Sequence, residues 1–316
     1  MKLGRLVVLT ISLFVLTIGL AHAEYINTGS TTQDTTFSIP SAWSVYGFDV
    51  LTSGNYVAFI DKDIVEITPS GTVSSPLYSF SSSVYGSFVK VHDNSIYFGE
   101  SSNGTIWKMG LDGSNPTQLG TVGNVYDMAF NSTGQAFVSA NPDWEGQKLL
   151  YLNGSNDEIV TGLDGYSGPL SFDSKDNLLY GTVFASDGDS ILRFGSTDVA
   201  GAIGSSSLSP GDGYSVASVA APSDMEIGNN GDIYYTYGKG IYRVGSSTPF
   251  ATSQYSLTSL AYNQHTNTLY VLANLPTGQV GVISAIQAVP EPGSLVGLAG
   301  MLSLSGLSML RRRKLG

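Results

Sequence analysis

The feature that most constrains the fold is an internal repeat. Six segments share the order apolar strand, polar turn and aromatic-rich strand, and their equivalent turn positions lie 40, 40, 42, 55 and 36 residues apart. The 55-residue spacing contains an insertion around "SSSLSPGDGYS". The six turn positions are Gly54, Asn94, Gly134, Asp176, Gly231 and Asn267. Short strands repeated at this spacing predict an all-β protein built from similar units.

Each unit continues beyond this hairpin. A third strand such as "TIWKMGLDG" or "KLLYLNGSN" follows, and most units add a weaker fourth strand such as "PTQLGTV". Four strands in roughly 40 residues predict a six-bladed β-propeller with four-stranded blades, because such sheets bury their faces by stacking radially. A β-sandwich or a β-helix is the alternative. The period is too long for a β-helix coil and too regular for a sandwich.

The last unit lacks a fourth strand, because "GVISAI" runs directly into "QAVPEP". We expect the segment "DTTFSIP" (residues 34–40) to supply that strand and to close the ring. The propeller domain is therefore predicted to span residues 24–287. Residues 1–23 and 288–316 have different sequence patterns, which are described below.

The repeat resembles the NHL and gluconolactonase group of propellers over residues 45–286. The resemblance rests on the Asp/Asn-Gly turns, the aromatic second strands and the basic-aromatic third strands. Enzymes of this group hold a divalent metal over the central channel with acids and amides of inner strands. The acids on or near first strands here are Asp49, Asp127, Asp224 and Glu226. They do not align one by one with the ligands of that group, so the resemblance does not carry over the activity. Convergence of these acids would indicate a metal, because burying them together without a cation is costly.

Other signals for chemistry are weak. The chain has no cysteine, no GxSxG elbow and no HExxH motif, and no catalytic set is predicted. Two pairs of acids lie two residues apart, Asp61 with Asp63 and Asp187 with Asp189. Each pair could bind Ca²⁺ with the help of backbone carbonyls, and the alternative is that the carboxylates are simply hydrated at the surface. His92 and His265 share one turn position, which in such propellers lies on the face opposite the ligand entrance.

Tyrosines precede or open most first strands and are expected near one channel mouth. Their rings suit stacking on sugars, and the alternative is that they pack neighbouring blades together. Trp144, in the loop "NPDWEG", is a further exposed aromatic candidate. The tyrosines are Tyr46, Tyr85, Tyr126, Tyr166 and Tyr255.

The N-terminus has the pattern of a signal peptide over residues 1–23. Lys2 and Arg5 precede an apolar run over residues 6–20, and Ala21-His22-Ala23 fits a cleavage site. An uncleaved membrane anchor is the alternative.

The order of residues 288–316 closely resembles a PEP-CTERM sorting signal. A Pro-Glu-Pro motif precedes an apolar segment over residues 295–310, predicted as a transmembrane helix, and a basic cluster ends the chain. The signal residues are Val289, Pro290, Glu291, Pro292, Arg311, Arg312, Arg313 and Lys314. The resemblance implies transient insertion in the inner membrane, cleavage by an exosortase, and delivery to the cell surface or matrix. A permanent single-span anchor is the alternative.

Charge excludes one class of partner. Six of the 14 basic residues lie at the chain ends, before Glu24 or after Glu291, whereas all 25 acidic residues lie from Glu24 to Glu291. The stretch from Glu24 to Glu291 therefore has 8 basic and 25 acidic residues and a formal charge of −17. Such a surface does not suit nucleic acid. The sequence therefore favours an exported binding module in the cell envelope or biofilm matrix, for polysaccharide. The alternatives are a metal-dependent propeller hydrolase, lactonase or lyase, and a protein-interaction scaffold.

Overall fold

The computed structural model describes residues 26–27, 33–38, 44–142, 146–274 and 281–287. The signal peptide, the sorting motif, the apolar segment 295–310 and Trp144 lie outside these residues. No helix within the described ranges is long and apolar enough to span a bilayer.

Within the described residues, 25 strands form six sheets. Two strands precede the first repeat, β1 (Ile26–Asn27) and β2 (Gln33–Ser38). Sheet I contains β3 (Val45–Val50), β4 (Tyr56–Ile60), β5 (Asp63–Ile67) and β6 (Tyr78–Ser79). Sheet II contains β7 (Gly86–His92), β8 (Ser95–Glu100), β9 (Thr105–Gly110) and β10 (Thr117–Thr121). Sheet III contains β11 (Val125–Phe130), β12 (Ala136–Ala140), β13 (Gln147–Tyr151) and β14 (Asp157–Leu163).

The second half of the chain repeats this arrangement. Sheet IV contains β15 (Leu170–Phe172), β16 (Leu178–Gly181), β17 (Ser190–Phe194) and β18 (Tyr214–Ser218). Sheet V contains β19 (Asp224–Ile227), β20 (Ile233–Tyr237), β21 (Gly240–Arg243) and β22 (Ala251–Ser253). Sheet VI contains β23 (Ser256–Asn263), β24 (Thr268–Asn274) and β25 (Gly281–Gln287). A short helix α1 (Ser196–Ala202) and a 3-10 turn (Pro210–Asp212) lie between β17 and β18, which accounts for the longest repeat spacing.

The predicted all-β propeller is confirmed, with one correction to its uniform four-stranded blades. Neighbouring strands pair antiparallel within each sheet, and five of the sheets have four strands. Sheet V has five, because β1 pairs with β22 at Ile26↔Ser253 and Asn27↔Thr252. The first strands contact one another in the order β3, β7, β11, β15, β19, β23, and β23 contacts β3 again. The six sheets therefore surround one channel.

The predicted closure of the ring is confirmed. Strand β2 pairs antiparallel with β25, from Gln33↔Ile286 to Ser38↔Val282, and completes sheet VI. The N-terminal segment thus contributes strands to both sheet V and sheet VI, and the last repeat needs no fourth strand of its own.

The hairpin turns explain the residue types at the repeat positions. All six aligned turn residues have positive φ, between 52° and 85°. Glycine adopts this left-handed conformation without strain, and Asn and Asp tolerate it better than other residues. Only these three residue types occur at the six positions.

Hydrophobic clusters lie at the interfaces between sheets. Each of the six interfaces has a cluster of its own, such as Phe59 with Phe98 between sheets I and II and Tyr234 with Leu260 between sheets V and VI. The sheets are thus held by side chains on both faces, which leaves inner-strand residues free to line the channel.

Candidate functional site

An ion cluster lies in the channel. The Nζ atom of Lys90 on β7 is 3.3 Å from Oε1 of Glu226 and 3.6 Å from Oδ1 of Asp127. The Lys90 side chain is only 15% exposed, so the ammonium has lost most of its water. Asp49 and Asp224 are also close enough to stabilise its charge. The four acids that the sequence singled out therefore converge, and they do so on a lysine.

Three of these acids also join neighbouring sheets. Each aspartate accepts the backbone N–H of the next residue with one oxygen and an N–H of the following sheet with the other. The pairs are Asp49 with Val50 and Val91 (2.7 and 2.6 Å), Asp127 with Met128 and Leu170 (2.7 and 2.8 Å), and Asp224 with Met225 and Leu260 (2.7 and 2.7 Å). The three aspartates lie on sheets I, III and V, so they connect the inner strands in alternate steps around the ring.

Burial controls the protonation of the cluster. Loss of hydration raises the pKa of Glu226 to about 8 and that of Asp127 to about 6, although Lys90 opposes both changes. Burial acts to lower the pKa of Lys90, but the attraction of Asp127, Glu226, Asp224 and Asp49 outweighs it and raises that pKa well above 10.5. Near neutral pH the lysine is therefore charged while Glu226 holds a proton.

The arrangement does not fit a divalent metal. The ammonium of Lys90 occupies the place among the acids that a cation would take, and three of the acids accept backbone N–H groups. Within the described ranges no group of three or more His, Cys, Asp or Glu side chains is arranged to hold a metal ion. The turn pairs Asp61 and Asp63 and Asp187 and Asp189 therefore belong to no such group. Convergence was expected to indicate a metal, and Lys90 supplies the compensating charge instead.

Strand β7 leads from one channel mouth to the other. Residues Gly86 to Val89 line a cavity of about 570 Å³, Val91 and His92 line a second cavity of about 580 Å³, and Lys90 lines both. The ion cluster thus separates two mouths of nearly equal size.

The first cavity is bordered by tyrosines, and we call it the tyrosine mouth. Tyr46, Tyr126 and Tyr166 line it, and the ring of Tyr85 lies 6.5 Å from that of Tyr46. Tyr85 is 71% exposed and Tyr166 is 61% exposed, so neither ring is packed in the hydrophobic core. Tyr126 is 36% exposed, and its hydroxyl donates a 2.8 Å hydrogen bond to the carbonyl of Ser223 on the far side of the cavity.

Uncharged polar groups complete this cavity. Asn141 has a buried Oδ1 atom without a hydrogen-bond partner in the part of the chain that the structure describes. The polar side chains that line the wall are Ser87, Ser101, Asn124, Asn141, Gln147, Ser167, Ser223, Thr258 and Ser259.

The structure separates Tyr255 from the other predicted tyrosines. Tyr255 is partly buried and packs against the cluster between sheets V and VI, which fits the alternative of a packing role. Tyr46 both lines the cavity and packs on the core. Its ring contacts the core residue Phe59 in an edge-to-face arrangement, with ring centroids 5.7 Å apart.

The second cavity contains both histidines, and we call it the histidine mouth. His92 and His265 line it with Asp49 and Glu226. The ring of His92 stacks on Phe130 with centroids 4.1 Å apart, and burial lowers the pKa of His92. The two histidines therefore lie at the mouth opposite the tyrosines, as their turn position predicted.

Sequence reasoning missed two residues in or beside these cavities, Lys90 and the exposed Phe184. Lys90 stands alone among apolar neighbours in "FVKVH", which is an unusual place for a lysine in an inner strand. Phe184 gave no signal beyond its position near a Gly-containing turn.

The fold places the chain among the β-propellers, and solved structures agree. A gluconolactonase of Xanthomonas campestris aligns with a TM-score of 0.62 at 11% identity over 84% of this chain and 93% of its own. A luciferin-regenerating enzyme aligns with a TM-score of 0.58 at 10% identity over 80% and 96% of the two chains. A catalytically inactive variant of the virginiamycin B lyase of Staphylococcus aureus aligns with a TM-score of 0.51 at 10% identity over 80% and 100%.

At these identities the similarity shows the fold alone. No protein-family model and no curated protein matches the sequence. The neighbours include several enzymes with different substrates, so the function must be argued from the residues of this chain.

Proposed function

We propose that the protein is an exported binding module whose propeller recognises a neutral carbohydrate at the tyrosine mouth. The observation that carries this proposal is the combination of exposed tyrosine rings with a cavity wall of amides and hydroxyls. Aromatic rings stack on the apolar faces of sugars, and amide and hydroxyl groups pair with sugar hydroxyls. The charged groups at the base of the cavity already have partners within the protein, which favours an uncharged ligand.

A glycan array tests this proposal. Residues 24–288 include every described strand, so this fragment is suitable for the array together with the full chain. We expect binding of neutral polysaccharides, and we expect Tyr85→Ala to weaken it about tenfold, the size of one lost aromatic contact. The melting temperature should not change, because Tyr85 is 71% exposed. Tyr126→Phe tests the hydroxyl that reaches Ser223.

Tyr214→Ala is the matched control. Tyr214 is 56% exposed but lies on β18, the outer strand of sheet IV. Equal loss of binding in Tyr85→Ala and Tyr214→Ala would contradict a site at the tyrosine mouth. A lower melting temperature with unchanged binding in Tyr85→Ala would support the packing role instead.

Export and sorting complete the proposal. The signal peptide over residues 1–23 and the PEP-CTERM-like segment over residues 288–316 support passage through the inner membrane, cleavage by an exosortase, and delivery to the cell surface or matrix. Mass spectrometry of the cell-surface and secreted fractions tests this directly. We expect a mature N-terminus at Glu24 and a C-terminus near Pro290 to Pro292, and an intact C-terminal peptide ending at Gly316 would contradict the cleavage.

A hydrolase, lactonase or lyase is a second candidate. The convergence of four acids in the channel and the enzymes among the fold neighbours favour it. Lys90 at the centre of the acids weighs against a channel metal. Metal analysis of the purified chain, with lactone hydrolysis measured before and after chelation, separates the candidates: a bound metal together with chelator-sensitive turnover would establish the enzyme.

A further inference from the structure

Phe184 combines two unfavourable features. Its φ is 56°, in the left-handed region, and its side chain is 69% exposed. Within the described ranges the other non-glycine residues with positive φ are all Asn or Asp. A bulky side chain in this conformation is strained, and an exposed phenylalanine ring gains nothing from burial.

The surrounding loop holds Phe184 in this conformation from both sides. The carboxylate of Asp189 accepts the N–H of Ala185 at 2.9 Å, and that of Asp164 accepts the N–H of Ser186 at 2.6 Å. On the other side, Tyr166 donates its N–H to the carbonyl of Val183 at 2.7 Å. Strained residues that are fixed by several such contacts are concentrated at binding sites.

The ring of Phe184 is paired with a tyrosine of the proposed site. The rings of Tyr166 and Phe184 meet edge to face, with centroids 5.8 Å apart at 89°. Tyr166 lines the tyrosine mouth, whereas Phe184 lies outside its lining. The pair therefore extends the aromatic surface from the cavity outward.

We propose that Tyr166 and Phe184 form an outer stacking subsite for a second sugar ring, so that the mouth takes neutral glycans of at least two residues. This inference rests on the proposed carbohydrate function. One ring occupies the cavity, where the unpaired Oδ1 of Asn141 can accept a sugar hydroxyl, and the next ring lies against the exposed aromatic pair. A lone monosaccharide reaches only the cavity.

The test compares Phe184→Gly with the wild-type full-length chain. Glycine adopts positive φ freely, so this variant removes the ring and the backbone strain together. The probes are the oligosaccharide with the strongest array signal and the monosaccharide from which it is built. We expect the oligosaccharide to bind about tenfold more weakly, with monosaccharide binding unchanged and the melting temperature unchanged or higher. Tyr237→Ala is the control, because Tyr237 is exposed on sheet V and does not line the cavity.

Each remaining outcome overturns the inference in a different way. Wild-type affinity of Phe184→Gly for the oligosaccharide would remove the subsite but leave the carbohydrate function. A lower melting temperature in Phe184→Gly would show that the ring is kept for packing. Failure of the wild-type chain to bind any neutral glycan would overturn both the subsite and the proposed function.

Discussion

The two mouths of the channel have similar sizes and different chemistry. Their volumes are about 570 and 580 Å³, and both reach Lys90. The tyrosine mouth takes its side chains from segments that enter the first strands, whereas the histidine mouth takes them from the hairpin turns where those strands end. Carboxylates line both cavities, but exposed tyrosine rings and uncharged polar groups occur at the first mouth and imidazoles occur at the second. The repeat thus fixes the channel, while the residues at each end of the strands determine what each mouth can bind.

Loss of the N-terminal strands should destabilise the whole ring, including both mouths, and should lower the melting temperature more than any other change considered below. Deleting residues 24–40 removes β1 and β2, which leaves the edges of β22 and β25 unpaired. We expect the melting temperature to fall by roughly 10 °C or more, or cooperative unfolding to be lost. Differential scanning calorimetry measures this. Deletion of residues 289–316, which follow the last strand, is the control, and an unchanged melting temperature without residues 24–40 would contradict closure by this segment.

Lys90 is the residue that the two mouths share, and its replacement should give the next largest effect. Lys90→Met keeps the length of the side chain but leaves the buried Asp127 and Asp224 and the partly buried Asp49 and Glu226 without a cation. Breaking such a pair costs about 3–5 kcal/mol of unfolding free energy. The loss should be smaller at pH 5 than at pH 8, because the acids can then take up protons. Urea denaturation at both pH values measures it.

Lys108→Met is the matched control for this prediction. Lys108 lies on β9 of the same sheet, and its ammonium is 5.2 Å from the ring centroid of the Tyr97 side chain. A contact of this kind is worth about 0.5–1 kcal/mol at an exposed site. Equal losses in both variants, or a wild-type melting temperature that rises with added divalent cations, would contradict the account of Lys90 as the internal cation.

Glu226 borders the histidine mouth and should make stability depend on pH. Its pKa is about 8 in the folded chain and 4.5 in the unfolded one, so the folded state binds the extra proton between these values. Stability therefore falls as pH rises from 4.5 to 8. Glu226→Gln should remove the part of this slope that lies above pH 6 and stabilise the protein at pH 8 by on the order of 2 kcal/mol. Chemical denaturation across this range measures it.

The exposed pair of Lys148 and Glu158 provides the comparison for Glu226. Glu158→Gln should leave the slope unchanged, because that carboxylate is 44% exposed and its ion pair lies at the surface. A slope that persists between pH 6 and 8 in Glu226→Gln would contradict a proton held by Glu226. A slope that remains below pH 6 is expected from Asp127, whose pKa rises from 3.8 to about 6.

The sequence predicts the ring better than the channel, for a physical reason. Turn positions such as Gly54 and Asn94 need particular residue types, which a short stretch of sequence shows. The absence of a fourth strand in the last repeat is also visible within that repeat alone. Convergence of the acids depends instead on the register of strands from different sheets. A register shift lies between Val45 and Gly47 on β3 and between Val125 and Asp127 on β11. Such a bulge changes which face later side chains occupy, so a strict alternation misplaces the acids.

The contacts of Lys90 were equally hard to predict from the sequence. Its place between Val89 and Val91 marks it as unusual, but its partners Asp127 and Glu226 are distant in the chain. Only the closed ring brings the three together. The sequence therefore marks Lys90 as unusual, and the folded ring determines which acids it meets.

A substitution at the histidine mouth should give the smallest effect and the sharpest comparison. His265 is exposed in the hairpin turn after β23 and lines the second cavity. If sugars bind at the tyrosine mouth, His265→Ala should change their affinity by less than about twofold, or about 0.4 kcal/mol, whereas Tyr85→Ala should weaken it about tenfold. Isothermal titration with the strongest glycan from the array measures both variants. The reverse order of effects would place the glycan at the histidine mouth and contradict a site at the tyrosine mouth.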